Sequence, residues 1–195
     1  MAISIQETFQ IQAPVDAVWR FFMDPQQVAT CMPGAALEEV QDERTFRGSI
    51  KVKVGAITTS YEGRVTLTTV DEQAYAIEMA AEGKETSGGT ARASMSSRLR
   101  SLSDAQTEVV AEATVDLTGR IMQVGRGMIE GVSHELFQQF VRRARERLEA
   151  PEGAALAAVP GKQEPIRIVP LILKALWSAI RRFFRRLFGR RAERS

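Results

Sequence analysis

Residues 46–67 read FRGSIKVKVGAITTSYEGRVTL. Before Gly55, Phe46, Gly48, Ile50, Val52 and Val54 alternate with Arg47, Ser49, Lys51 and Lys53. After it, Ile57, Thr59, Tyr61, Gly63, Val65 and Leu67 alternate with Thr58, Ser60, Glu62, Arg64 and Thr66. A period of two with one wet face belongs to antiparallel strands covered on one side, and the central glycine marks a hairpin.

The same pattern extends outward. Tyr75, Ile77, Met79 and Ala81 alternate with Glu78 and Glu82. Ala91, Ala93, Met95 and Leu99 alternate with Arg92, Ser94, Arg98 and Arg100. Val109, Ala111, Ala113, Val115 and Leu117 alternate with Glu108, Glu112 and Asp116. Upstream, Ile3, Ile5, Phe9 and Ile11 share one face of a first strand, with Glu7 among them. Pro14 opens a short helix over 15–23 with Val15, Val18, Trp19 and Phe22 as its apolar stripe; Asp24-Pro25 starts a second over 26–30, and Met32-Pro33-Gly34 is a turn. Ile121, Gly125, Met128, Ile129, Val132, Leu136 and Phe140 fall on one arc at helical period, so residues 121–148 predict the long helix that covers the sheet. Residues 1–149 thus predict an α+β domain. Its curved seven-stranded antiparallel sheet surrounds a long C-terminal helix, with two short helices after the first strand.

The chain has 195 residues, 44% of them hydrophobic, enough for one real core. Lys and Arg number 26 and Asp and Glu 24, a net charge of +2. That excess belongs to the last thirty residues, where nine bases face the single acid Glu193, so the body is acidic and argues against a nucleic-acid partner. One cysteine, Cys31, and one histidine, His134, exclude an intramolecular disulfide and a Cys/His zinc site; no metal or covalent cofactor is expected. The opening MAISIQETFQ lacks the basic and apolar regions of a secretory signal, and no run of eighteen uncharged apolar residues occurs, so a cytoplasmic body is expected.

Residues 150–165, APEGAALAAVPGKQEP, read as a flexible linker, and 166–195 as a separate basic amphipathic tail helix. At helical period Ile172, Leu173, Leu176, Trp177, Phe183, Phe184, Leu187 and Phe188 fall within about 80° of Ile180. Lys174, Ser178, Arg181, Arg182, Arg185 and Arg186 take the other side, with Leu171 as the large apolar exception. An aromatic face backed by bases is the pattern of a helix lying in an anionic membrane surface, where each base contributes roughly 1 kcal/mol. Membrane contact is therefore assigned to Leu173, Leu176, Trp177, Ile180, Arg181, Arg182, Phe183, Phe184, Arg185, Arg186, Leu187 and Phe188.

Ala81, Gly89, Ala91, Ala93, Ala111 and Ala113 are small, inward and clustered, and Gly125 stands on the facing helix. Close-packed interiors set large residues against small ones, so this clustering predicts an apolar ligand cavity. The expected lining is Val52, Val54, Tyr61, Met79, Ala93, Met95, Ala113, Met128, Ile129 and Val132. Glu7, the one inward carboxylate, is expected near a strand end or paired with a base such as Arg20. Cys31 reads as a small hydrophobe at the cavity mouth and His134 as a packing residue at the helix edge; no catalytic residue is expected.

Ala13-Pro14, Val18-Trp19, Asp24-Pro25 and Cys31-Met32-Pro33-Gly34, followed by Gly48-Ser49-Ile50-Lys51-Val52-Lys53-Val54-Gly55-Ala56-Ile57 and Tyr61-Glu62-Gly63, resemble the CoxG family of carbon monoxide dehydrogenase subunits. That family lies within the START/polyketide-cyclase-like (SRPBCC) superfamily, and the resemblance covers roughly residues 3–148. It implies a helix-grip fold and a non-enzymatic protein, peripheral on the inner face of the cell membrane. Such a protein binds a respiratory quinone (menaquinone or ubiquinone) or similar lipid in its cavity. It recruits a molybdenum hydroxylase of the carbon monoxide dehydrogenase type, whose electrons pass to the quinone pool. Two alternatives stand beside it: a helix-grip enzyme of the cyclase or hydratase type, and a membrane adaptor with a filled core.

Overall fold

The computed structural model describes residues 2–150. The chain runs β1 (Ala2–Ile11), α1 (Val15–Phe22), α2 (Pro25–Cys31), β2 (Ala35–Val40), β3 (Thr45–Val54), β4 (Ile57–Asp71), β5 (Ala76–Glu85), β6 (Thr90–Ser103), β7 (Gln106–Leu117), a 3-10 turn (Arg120–Val124) and α3 (Arg126–Leu148). The strands form one sheet in the order β1-β7-β6-β5-β4-β3-β2, every neighbour antiparallel. Successive strands from β2 to β7 pair in turn, while β1 closes beside β7. The two short helices therefore carry the chain from one sheet edge to the other. Asp24 starts α2 by accepting hydrogen bonds from the backbone N–H groups of Gln26 and Gln27, at 3.0 and 3.1 Å.

The hairpin expected around Gly55 is present. Val54 pairs with Ile57, and Gly55 turns the chain at a φ of +59°. Gly48 faces Gly63 across β3 and β4, and Gly63 faces Gly83 across β4 and β5. A Cβ on Gly63 would stand 2.0 Å from the carbonyl oxygen of Glu82, so no side chain fits there. Backbones approach in this way where a sheet folds sharply.

Two apolar clusters hold the domain. The larger joins Phe9, Ile11, Val18, Trp19, Phe21, Leu99, Val109, Phe140 and Val141 across α1, α2, the C-terminal half of α3 and one end of the sheet. Edge-on ring pairs Phe9–Phe137 and Trp19–Tyr75 lie within it, at centroid distances of 5.8 and 5.6 Å. The smaller joins Ile3, Val54, Leu117, Ile121 and Ile129, where the β3–β4 hairpin meets the start of α3.

The covering helix is shorter than the sequence predicts. It begins at Arg126, because Gly125 adopts a φ of +83° that a right-handed helix cannot continue, and residues 120–124 form a separate 3-10 turn. Gly125 is exposed, with nothing near the place of its missing Cβ, so it is a joint and not a small residue facing the strands. The predicted linker over 150–165 and tail helix over 166–195 lie outside the described residues, apart from Ala150.

Candidate functional site

Between the two clusters the inner face of the sheet is lined by small residues. In one row Ala81 pairs with Ala93 and Ala93 with Val115; in the next Met79 pairs with Met95, Met95 with Ala113 and Ala113 with Ile5. Ala81, Ala93, Met95 and Ala113 belong to neither cluster and are half-buried, although they sit mid-strand on the inner face. The main approaches of α3 are to α1, α2, β1, β3 and the 3-10 turn. These main approaches do not include the central strands β4 to β6.

The ten predicted lining residues divide into three groups. Ala93, Met95 and Ala113 line the central band, with Met79 beside it against the larger cluster. Val54 and Ile129 are buried in the smaller cluster, and Val52 and Val132 pack on it, so these four close one end. Met128 is the exception. It is 49% exposed, and its sulfur lies against Gly55. With α3 starting at Arg126, Met128 falls in the first helical turn and reaches the hairpin rim.

Tyr61, the tenth, is buried beside two polar residues that the predicted lining omits. It faces Glu85 across β4 and β5, and Thr59 lies two residues away on the same face. The oxygens Thr59 Oγ1, Tyr61 Oη and Glu85 Oε2 are buried and complete no hydrogen bond among the described residues. Thr59 still stands near enough to act on both neighbours. Burial pushes the Tyr61 phenol up, and the charge of Glu85 adds to this against the opposing effect of Thr59. The Thr59 and Ser87 hydroxyls and the Arg120 guanidinium hold the Glu85 carboxyl below its ordinary range, against the cost of desolvation. The signal for Glu85 lies in the sequence, since the β5 alternation carried two inward positions past Ala81 reaches it.

Glu7 does not pair with Arg20. Its Oε1 lies 2.8 Å from Nδ1 of His134, in an open cleft of ≈ 200 Å³ between β1 and α3 that includes Ile3, Ile5 and Glu130. Geometry decides this: Glu7 is on the inner face of the edge strand, and α3 brings His134 over it. Cys31 is buried in the larger cluster and not at a cavity mouth; burial pushes its thiol up, which removes nucleophilic character. Among the described residues no group of three or more His, Cys, Asp and Glu side chains could hold a metal ion, and no helix is long and apolar enough to cross a membrane. The predicted membrane-contact residues, Leu173 to Phe188, lie outside the described residues.

The family of carbon monoxide dehydrogenase subunits known as CoxG matches residues 8–149. No curated protein matches the chain. Among solved structures, a conserved protein from Geobacillus kaustophilus is similar with a TM-score of 0.69 at 18% identity, over 75% of this chain and 95% of its own. An aromatase/cyclase from a Streptomyces species reaches a TM-score of 0.57 at 17% identity, over 76% and 94%. A START superfamily protein from Mycobacterium smegmatis reaches 0.51 at 12% identity, over 75% and 97%. At these identities the likeness is one of fold. The family match runs from β1 to the end of α3, and with the sheet that curves around that helix it makes this chain a member of the CoxG family of carbon monoxide dehydrogenase subunits, with a START-like helix-grip fold.

Proposed function

We propose that this chain is a non-enzymatic binding protein that holds a respiratory quinone, or a lipid of similar shape, in the space between α3 and the central strands. It does so beside a molybdenum hydroxylase of the carbon monoxide dehydrogenase type, on the cytoplasmic face of the membrane. The carrying observation is the half-buried band of Ala81, Ala93, Met95 and Ala113 between two packed clusters. A filled core buries an alanine completely; an apolar face left half-covered accommodates an apolar ligand. The CoxG family match supports the hydroxylase as partner, and the aromatic and basic faces of residues 168–189 support attachment to an anionic leaflet. Bound in the cavity, a quinone would supply two-electron acceptor chemistry. The chain itself supplies an apolar enclosure and positioning.

One observation favours an enzyme instead. Glu7 and His134 form a carboxylate–imidazole pair of the kind that moves protons. The His134 side chain is 62% exposed, however, and its cleft opens outward between β1 and α3, which suits a surface contact better than chemistry in a dry cavity.

The deciding experiment is mass spectrometry of an organic extract of the full chain purified from membranes. An isoprenoid quinone is expected in near-equal amount with the protein, and the Ala93→Phe/Ala113→Phe double variant should lack it. A wild-type protein that never carries quinone or lipid rejects the binding role. Co-sedimentation with anionic vesicles checks attachment separately: truncation after Gln163 should leave the protein in the supernatant, and a truncated chain that still pellets places membrane contact elsewhere.

A further inference from the structure

The two edges of the sheet are finished differently. On β2 a bulge interrupts the register between Leu37 and Glu39, and α2 packs against the strand. Both devices keep a sheet edge from pairing with another chain. β1 pairs with β7 in unbroken register from Ala2 to Ile11 and has no strand on its other side. In an antiparallel ladder, alternate residues turn both N–H and C=O away from the partner strand. Gln10 is one of these, since its carbonyl accepts from Arg145 Nε at 2.8 Å; beyond it the Gln12 N–H donates to Glu149 Oε1 at 2.9 Å. The end of α3 thus closes this part of the edge. Counting back by twos, Ser4, Gln6 and Thr8 also turn outward. All three are exposed, and no main-chain group of theirs is bonded outside the β1–β7 ladder by a described residue. Beside this stretch lies the open cleft of ≈ 200 Å³ between β1 and α3.

We propose that Ser4, Gln6 and Thr8 form a docking edge on which an extended, lysine- or arginine-bearing segment of the partner hydroxylase pairs as an added strand. This rests on the proposed hydroxylase partnership and adds where, and in what conformation, the partner is held. Main-chain hydrogen bonds give such a contact its affinity, and the side chains around it choose the occupant. Charge makes that choice here. Glu7 and Glu130 line the cleft and no Lys or Arg does; Arg126 reaches Glu130 from the start of α3, at 2.6 Å. A second copy's β1 would bring another Glu7 and no base, whereas a basic side chain on an added strand meets carboxylates. The helix also leaves room. Gly127 and Gly131 share an arc of about 60° with His134, which the 2.8 Å contact to Glu7 places over β1. Both glycines are exposed, with nothing within 4 Å of the missing Cβ. A glycine within a helix weakens it, and here two of them keep the side of α3 next to the edge bare.

The test is residue-resolved amide hydrogen exchange of the full chain, alone and with the purified hydroxylase, together with the affinity of the complex. The amides of Ser4, Gln6 and Thr8 should exchange rapidly in the free chain and slow by at least about tenfold in the complex. Those of Ile5 and Glu7, which face β7, should change little; protection at every second residue is the mark of an added strand. Gly131→Leu should weaken hydroxylase binding by about tenfold while melting at or above the wild-type temperature, because leucine is the better helix former. Gln6→Pro removes an outward N–H and no ladder bond to β7, and should weaken binding by a similar factor; Gln6→Ala keeps that N–H and should bind as wild type does. Should Gln6→Pro fail to fold, the exchange pattern and Gly131→Leu still decide. Hydroxylase that binds without slowing these three amides, or that binds Gly131→Leu as tightly as wild type, overturns the docking edge and leaves the partnership standing. Slow exchange at the same amides in the free chain, lost on dilution, identifies a second copy as the occupant and also overturns it. Hydroxylase that does not bind the full chain overturns the partnership together with the edge.

Discussion

The two halves of the inner face come from the same strands and differ in how they are filled. At the α1–α2 end, β1, β6 and β7 contribute Phe9, Ile11, Leu99 and Val109, and the helices answer with Trp19, Phe21 and Phe140. A few residues further along the same strands stand Ala93, Met95 and Ala113, and α3 makes its main approaches elsewhere. Alternation is identical in both places. What differs is side-chain volume, so the pattern makes a face inward but does not make it full.

Substitutions should expose that contrast, beginning where it is largest. Phe21 is 2% exposed and packs on Phe22 and Phe140. Phe21→Ala is expected to cost about 3–5 kcal/mol in urea unfolding. Asp24 sits at the same packed end. Burial raises its pKa, but the side chain and backbone N–H of Gln27, the backbone N–H of Gln26 and the charge of Arg147 outweigh that and hold it below the ordinary aspartate range. A depressed carboxylate stabilises the fold above its unfolded pKa, and this stabilisation disappears as pH falls through the folded one. Asp24→Ala should thus cost about 1 kcal/mol at neutral pH, and the gap from wild type should narrow when unfolding is repeated near pH 2.

The open half should respond differently. In a filled core, adding two phenylalanines costs about 1–3 kcal/mol or more in strain. Ala93→Phe/Ala113→Phe should stay within about 1 kcal/mol of wild type while losing its ligand; a double variant that unfolds would show that the two halves are equally full. The smallest change is expected at the rim. Met128→Ala should shift stability by no more than about 0.5 kcal/mol, since Met128 is 49% exposed. A larger loss would mean that Met128 seals the hairpin end.

Much of this molecule is legible in order of residues alone. Period-two alternation, the glycine turn at 55 and the prolines at 14 and 25 specify seven strands and two short helices, because each depends on local geometry. The small inward residues of β5 to β7 are legible for the same reason. The basic, aromatic character of 166–195 is a property of sequence that needs no coordinates to be seen. Tertiary structure decided the rest. Helical periodicity runs through Gly125 without a break, and only the backbone at that joint separates the 3-10 turn from α3 and moves Met128 to the rim. The partner of Glu7 is His134, 127 positions away in the numbering, because the helix crosses β1 there. Thr59, Tyr61 and Glu85 look ordinary in the sequence: a threonine, a tyrosine and a glutamate on strands. Pairing β4 with β5 in one register sets Glu85 opposite Tyr61 with Thr59 beside them, and that neighbourhood shifts both the phenol and the carboxyl. Local rules set which way a side chain points; its neighbours, and whether they satisfy it, depend on chain crossings that no local pattern contains.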